Sequence, residues 1–524
     1  MTAGTPYRSG LRTGRDGFAQ LLHAEWTKFR TVRGWVIGML AAALVTVLVG
    51  LLGPAGSCEG PGGQACKPSA PQVGPDGEAV TDSFYFVHQP LAGDGSITVR
   101  VTSLTGLYPP NGAVPAGKGP LTGMRSGTQP WSKAGIIIKE STRQGSAYAA
   151  MLVTGSRGVR MQYNYTHDTA GHPGVVSAAS PRWLRLTRTG DTLTGYESTD
   201  GAHWSTVGTA TLAGLSSTVQ TGLFVASPGD VQVSQSVGGG FQVHFTQASA
   251  VFDQVSLHGN ASGAWRGDAV GGAGETDWER YHRAAGVEQS GGTFTVTGSG
   301  DIAPLVDAGR GIERTLLGAF AGLIAVIVVA TLFITAEYRR GLIRTTLAAS
   351  PRRGRMLAAK AAVIGSVTFV AGLVATALAV PLGERILRAN GNQIVPVTRL
   401  TELRVMTGTA ALLAVAAVLT LAVGAILRRS AAAVTAVIVA IVLPYVLAVA
   451  SVLPVGVSQW LLRLTPAAAF AIQQSLTQYP QVTVAHTPSA GYFPLAPWAG
   501  FAVLCGYAAL ALGLATYLLR RRDT

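Results

Sequence analysis

Charge is scarce in this chain, and its longest apolar runs have none at all. Charged residues make up 13% of the 524 positions and hydrophobic ones 48%, a balance that suits a membrane protein carrying a sizeable polar domain. Six runs (35–52, 316–335, 361–382, 405–427, 431–453 and 498–519) contain no Asp, Glu, Lys, Arg or His. Each is close to or above the roughly 18 apolar residues that make a candidate membrane helix. Carriers driven by protons or ions need ionisable groups at membrane depth, so any transport by this chain draws its energy from elsewhere. Only three cysteines are present, too few for a disulfide framework. Cys505 lies inside the last apolar run, whereas Cys58 and Cys66 flank a Gly/Pro-rich stretch. Outside the cell those two suit an oxidised pair, with two free thiols as the alternative. The nine histidines are scattered without metal-ligand spacing, so no metal site and no catalytic constellation is expected.

The charge that is present sits in few places. The net charge of +14 falls entirely on four segments: the residues before the first apolar run, the stretch 336–360, Arg428-Arg429 and Arg520 to Arg522. The rest of the chain carries equal numbers of acids and bases. One topology places all four segments in the cytoplasm, as short basic membrane loops require. The basicity therefore reports orientation and excludes a nucleic-acid partner. The chain is expected to be a multi-pass protein of the bacterial plasma membrane, with both termini inside and residues 53–314 outside.

Residues 1–34 form a tail and then an amphipathic helix. Phe18, Leu21, Leu22, Glu25, Trp26 and Phe29 recur at helical spacing, with Lys28, Arg30 and Arg33 toward the membrane end. The run 35–52 reads as a retained first span, since five later spans argue against a cleaved signal. From 53 to 314 the composition turns to Gly, Ser, Thr, Asp and aromatics. Short alternating runs such as SITVRVTSL (96–104) and GVRMQYNYT (158–166) recur between turn residues. They predict an all-β antiparallel sandwich, large enough to bury a core. The remaining boundaries are a second span at 315–335, a basic loop at 336–360, and spans three to six within 361–524. Short outer helices are expected at about 454–497, and Pro444 is expected to kink the fifth span. Two nucleotide-like strings are set aside. GAVPAGKG (112–119) lacks the final hydroxyl residue of a phosphate loop, and GSGDIA (298–303) is followed by proline where a helix should start.

LLHAEWTKFRTVRGW, before the first span, resembles the elbow helix of type-2 ABC exporter permeases. EYRRGLIRTTLAASPRRGRMLAAK, between the second and third spans, resembles their coupling helix, which is seated on the ATPase. The resemblance implies elbow-helix roles for Leu22, Glu25, Trp26, Lys28 and Arg30. It implies that Glu337, Arg340, Gly341, Arg344, Thr345, Pro351, Arg353 and Lys360 lie at or near the ATPase interface. It further implies a dimer with a second permease copy or a paralogue, contact with membrane lipid, and an ABC-type ATP-binding subunit. ATP and Mg would bind that subunit, with no cofactor in this chain.

The β-region separately resembles concanavalin A-like (laminin-G-like) sandwiches, on WSKAGIIIKE, RWLRLTRTGDTLTGYESTDGAHWSTVG and TGLFVASP. This jelly-roll likeness opens an alternative function: a membrane-anchored surface protein that binds glycan or acts as a sensor. Trp131, Tyr163, Tyr165 and Trp204 are the candidate sugar contacts, and their competing reading is core packing. STDGAHW (198–204) approximates an Asp-box turn but is one residue short, so a tight Asp-Gly hairpin packing Trp204 is the preferred reading. The leading expectation is an α-helical polytopic permease of six transmembrane helices that exports an amphipathic or lipid-like substrate.

Overall fold

The computed structural model describes residues 17–55, 72–108, 124–233, 241–272, 285–306, 311–339, 341, 353–392, 394–483 and 486–522. Cys58, Cys66, Arg340, Arg344, Thr345, Pro351 and the string GAVPAGKG lie outside the described residues. Six helices are long and apolar enough to cross a membrane. Spans one to three are Arg33–Ala55, Leu317–Arg339 and Arg353–Ala389. Spans four to six are Arg399–Leu427, Ser430–Val449 and Pro497–Arg522. The helices outrun the uncharged windows of the sequence, so Glu337 and Lys360 sit inside helical ends rather than in a loop.

Small residues set the contact between spans one and two. A side chain at Gly318 would collide with the backbone of Thr46 and Gly50, and one at Gly322 with the Thr46 hydroxyl. Lipid offers no hydrophobic drive for helix association, so close backbone approach through glycine supplies packing instead. In span five the π-helical turn Ile438–Val442 directly precedes Pro444. The proline's missing amide is thus absorbed by a local change of helix type. The outer segment contains a helix, Val455–Leu464, and an eight-residue 3₁₀ helix, Pro466–Gln473, bent against it by 101°. Every residue of the 3₁₀ helix is buried.

The region between spans one and two is all-β and antiparallel. Nine strands follow the order 205–211, 192–198, 182–189, 84–108, 218–226, 133–139, 148–154, 159–163 and 167–170. The two end strands lie against each other without pairing, so the sheet is a nearly closed barrel. Phe84–Tyr108 organises it: its first half pairs with Thr218–Ala226 and Arg266–Val270, its second with Arg182–Thr189 and Gln247–Ala261. Between the halves, where the register with Gln247–Ala261 shifts, Gly93 takes a φ of +70°, which favours glycine.

One core lies inside the barrel and contains Val99, Leu186, Ile136, Ile138, Met151 and Leu223. A second lies on the opposite face of the same strands and contains Phe84, Phe86, Ile137, Tyr148, Phe224 and Ile302. Central strands are therefore buried on both faces, which is why AGIII runs continuously apolar instead of alternating. GSGDIA ends one strand and leads into another, Ile302–Pro304, with no helix.

The second core closes beneath a two-stranded ribbon, Val80–Asp82 paired with Ile302–Pro304. These are the strands that lead into and out of the β-region. Two fully buried lysines at opposite ends of one strand hold the ribbon down. Lys133 Nζ lies 2.6 Å from Asp301, and Lys139 Nζ lies 2.8 Å from Asp82. Tyr165 Oη also donates to Asp82, at 2.7 Å. Burial lowers the Lys139 ammonium even with Asp82 opposing it, and burial beside Asp82 pushes the Tyr165 hydroxyl far above its ordinary value.

Candidate coupling site

The helix expected as the elbow, Phe18–Thr31, lays one face against the ends of spans two and three. Phe29 is buried, edge-on to Phe333 at 5.9 Å and near Trp35 at 6.5 Å. Leu22 packs on the same cluster, while Trp26 stacks on Phe29 with 44% of its surface exposed. That exposure suits an aromatic at the membrane interface. Arg30 is exposed.

At the centre of this face is an acid. Glu25 is 2% exposed, and its Oε2 accepts from Lys360 Nζ at 2.6 Å. Lys360, with no exposed surface, also donates to Glu337 Oε1 at 2.6 Å. It sits 5.1 Å over the Phe333 ring as well. Lys28 completes the cluster from the rim, 2.8 Å from Glu25 and 3.3 Å from Glu337. Burial works to lower the Lys28 ammonium, but hydrogen bonds and charge from Glu25 and Glu337 outweigh it and raise the group. The cluster is neutral, with two carboxylates against two ammonium groups. It joins three segments that are 309 and 335 residues apart in sequence. An arrangement like this keeps those segments together, because separating them strands a charge in an apolar site.

The two flanks of the basic loop are anchored differently. Gly341, exposed and at φ +69°, ends span two with its amide bonded to the Tyr338 carbonyl. Arg353 donates from Nη1 to the Leu519 carbonyl at 2.7 Å, capping the last turn of span six. A guanidinium there opposes the negative end of the helix dipole.

The described members of the expected interface thus divide. Gly341 is at the surface and Arg353 is half-buried. Glu337 and Lys360, expected at or near a partner, are buried and engaged in internal ion pairs. The signal for this was present in the sequence: an acid at a core position of an amphipathic helix needs a buried base.

The sugar-contact candidates need a sharper correction. Trp131 is 5% exposed, with Arg157 and Arg160 against its ring, and Tyr165 is 1% exposed within the second core. Neither ring is open to stack on a sugar. Tyr163 is half-buried and stacked on His167 at 4.2 Å. Trp204 is half-buried beneath the Arg185 guanidinium at 3.9 Å, with its indole N–H bonded to the Gly201 carbonyl. Around it, Asp200 accepts from the amides of Ala202 and His203, and Gly201 takes φ +77°. This is a tight Asp-Gly turn. Among the described residues no three His, Cys, Asp or Glu side chains converge to hold a metal.

Six apolar spans, a basic end and a large β-region between the first two spans define a multi-pass membrane permease. The chain belongs to the ABC-2 transporter family: the family described as "ABC-2 family transporter protein" matches residues 146–524. That class is a transport subunit rather than an enzyme, and membership implies an associated ATP-binding partner subunit. No curated protein matches the chain by sequence. Among solved structures, scytalido-glutamic peptidase with a transition state analog inhibitor is similar at 11% identity. The match covers 43% of this chain and all of that one, with a TM-score of 0.26. A functionally unknown protein from Saccharomyces cerevisiae is similar at 17% identity over 38% of this chain and 86% of that one, with a TM-score of 0.20. Scores this low establish no shared fold.

Proposed function

We propose that this chain is the permease of an ATP-driven exporter of an amphipathic or lipid-like substrate, coupled to its ATPase through residues 336–360. The observation that carries the reading is the buried Glu25–Lys360–Glu337 cluster. It fastens the elbow helix to both flanks of the basic loop, so a push on the loop moves spans two and three and the elbow as one body. The orientation follows from the charge: both termini and the loop face the cytoplasm, and the β-region lies outside. A second copy or a paralogue completes the transport unit. The likeness of the β-region to concanavalin A-like sandwiches belongs to the same proposal and rests on sequence strings alone.

The test uses the basic loop rather than the buried cluster. Charge reversal at Arg344 and Arg353 is expected to release the co-expressed ATPase during purification while the permease stays inserted. Undiminished co-purification of the ATPase with the double variant would overturn the coupling role.

A further inference from the structure

The ion pair between Lys139 and Asp82 is the one whose side chains are both wholly out of solvent among the described residues. Asp82 Oδ2 accepts from Lys139 Nζ at 2.8 Å, from Tyr165 Oη at 2.7 Å and from the Gly145 amide at 2.9 Å. The other oxygen, Oδ1, is shielded from water and has no hydrogen-bond partner among the described residues. Lys139 Nζ also donates to the Ser146 carbonyl and to Tyr165 Oη, each at 3.0 Å. The rings of Tyr148 and Tyr165 flank the amine, with centroids 5.7 Å and 5.5 Å away. Such a pair is costly twice over, because two charges are held without water and one carboxylate oxygen is left idle.

We propose that Lys139 and Asp82 become joined by an amide bond, a covalent staple between the ribbon and the barrel. The ion pair is its precursor. The ammonium passes one proton to Oδ1, leaving a neutral amine beside a carboxylic acid. Nζ then attacks Cγ, and the N–C bond forms as the Cγ–Oδ1 bond breaks. Oδ1 leaves as water, carrying the acid proton and one of the two protons left on nitrogen. No oxidant, nucleotide or outside reactant is consumed. Nζ is held against Oδ2, so the carbon bonded to that oxygen is a small rotation away. Tyr165 Oη and the Gly145 amide already aim at Oδ2, where negative charge gathers in the tetrahedral intermediate. Burial lowers the Lys139 ammonium against the pull of Asp82, which favours the free amine that attack requires.

The product satisfies what the reactants leave open. The amide N–H keeps the Ser146 carbonyl, the amide oxygen keeps the Gly145 and Tyr165 donors, and the oxygen without a partner is gone. The Lys133–Asp301 pair lacks this arrangement. There the carboxylate oxygen accepts from Nζ and from the Ile302 amide, no hydroxyl joins it, and the aspartate side chain is 12% exposed. That pair stays ionic. Residues 67–504 contain no cysteine, so no disulfide can fasten the ribbon to the barrel. The staple closes the chain between residues 82 and 139 and restricts its unfolded state as a disulfide does. It is independent of what the permease moves.

The full chain, purified in detergent, is measured by intact mass spectrometry. Wild type is expected one water lighter than its sequence, and Lys139→Met and Asp82→Ala are expected at their full sequence masses. Lys133→Met should still lack the water. Digestion of wild type should yield a branched peptide joining Asp82 to Lys139, with trypsin unable to cut after Lys139. Tyr165→Phe keeps the ring and the ion pair, and in a pulse-chase it should slow the mass loss about a hundredfold, the cost of one oxyanion donor. Wild type at its full sequence mass would overturn the proposal whether or not the variants fold. So would a branched peptide joining Asp301 to Lys133, or a missing water that survives in Lys139→Met.

Discussion

Replacing Lys360 by methionine tests the buried ion cluster directly. The lysine is fully buried and donates to both Glu25 and Glu337 at 2.6 Å. Without it, Lys28 is the one ammonium left near them among the described residues. Its side chain is 39% exposed, and it lies nearer to Glu25 than to Glu337. One ammonium cannot neutralise two buried carboxylates, and Glu337 already has one oxygen without a hydrogen-bond partner. Lys360→Met is therefore expected to cost about 3–5 kcal/mol, the range for removing one partner of a buried ion pair. The double variant Lys360→Met/Glu337→Gln leaves the Glu25–Lys28 pair intact and no stranded charge, so most of that loss should return. Stability is read by denaturing-detergent titration of the purified chain in mixed micelles, followed by tryptophan fluorescence. The cycle's coupling energy is the quantity of interest. A single variant within about 1 kcal/mol of wild type would refute the reasoning, given the size expected for a buried pair. So would a double variant no more stable than the single.

Gly318→Leu should drive spans one and two apart, because the added side chain meets the backbone of Thr46 and Gly50; proteolysis of the membrane-inserted protein should reveal the loosened pair. Gly93→Ala places a Cβ at φ +70° within the long strand and should cost about 1–2 kcal/mol in the thermal unfolding of the full chain. Burial raises Tyr148 and Tyr165 above the ordinary tyrosine range, with Asp82 adding to the effect. Raised folded-state values mean that the unfolded chain ionises first, so their contribution is complete below the ordinary tyrosine range and is lost as pH climbs through it. Melting temperature measured from neutral to alkaline pH should fall, and Tyr165→Phe should flatten part of that fall.

Much of the membrane half was legible because its physics is local. Six uncharged runs specify six spans, and alternating short strands specify an antiparallel β-region. Closure of that region into a barrel was not legible, because it depends on which strands meet across more than 100 residues, such as Phe84–Tyr108 with Thr218–Ala226. The elbow helix could be read from its apolar spacing, and Glu25 stood out as the one acid on that face. Its partner could not be named. Lys360 looked like one more cation in a basic loop, and only the packed spans show that it faces inward. Trp131 and Tyr165 misled for the reverse reason. Both sit in turns beside strands, where Trp131 is covered by the Arg157 and Arg160 guanidiniums and Tyr165 joins the second core, contacts that local alternation does not announce.

Buried lysine recurs wherever distant segments must be joined. Lys360 ties the elbow to spans two and three, and Lys133 and Lys139 tie the ribbon that connects the β-region to the membrane. Apolar contact alone would hold these junctions loosely in register, since one aliphatic surface slides over another at little cost. A buried lysine held by one or two acids penalises every displaced arrangement by leaving a charge unpaired. Asp82, Asp301, Glu25 and Glu337 each have a lysine at 2.8 Å or less.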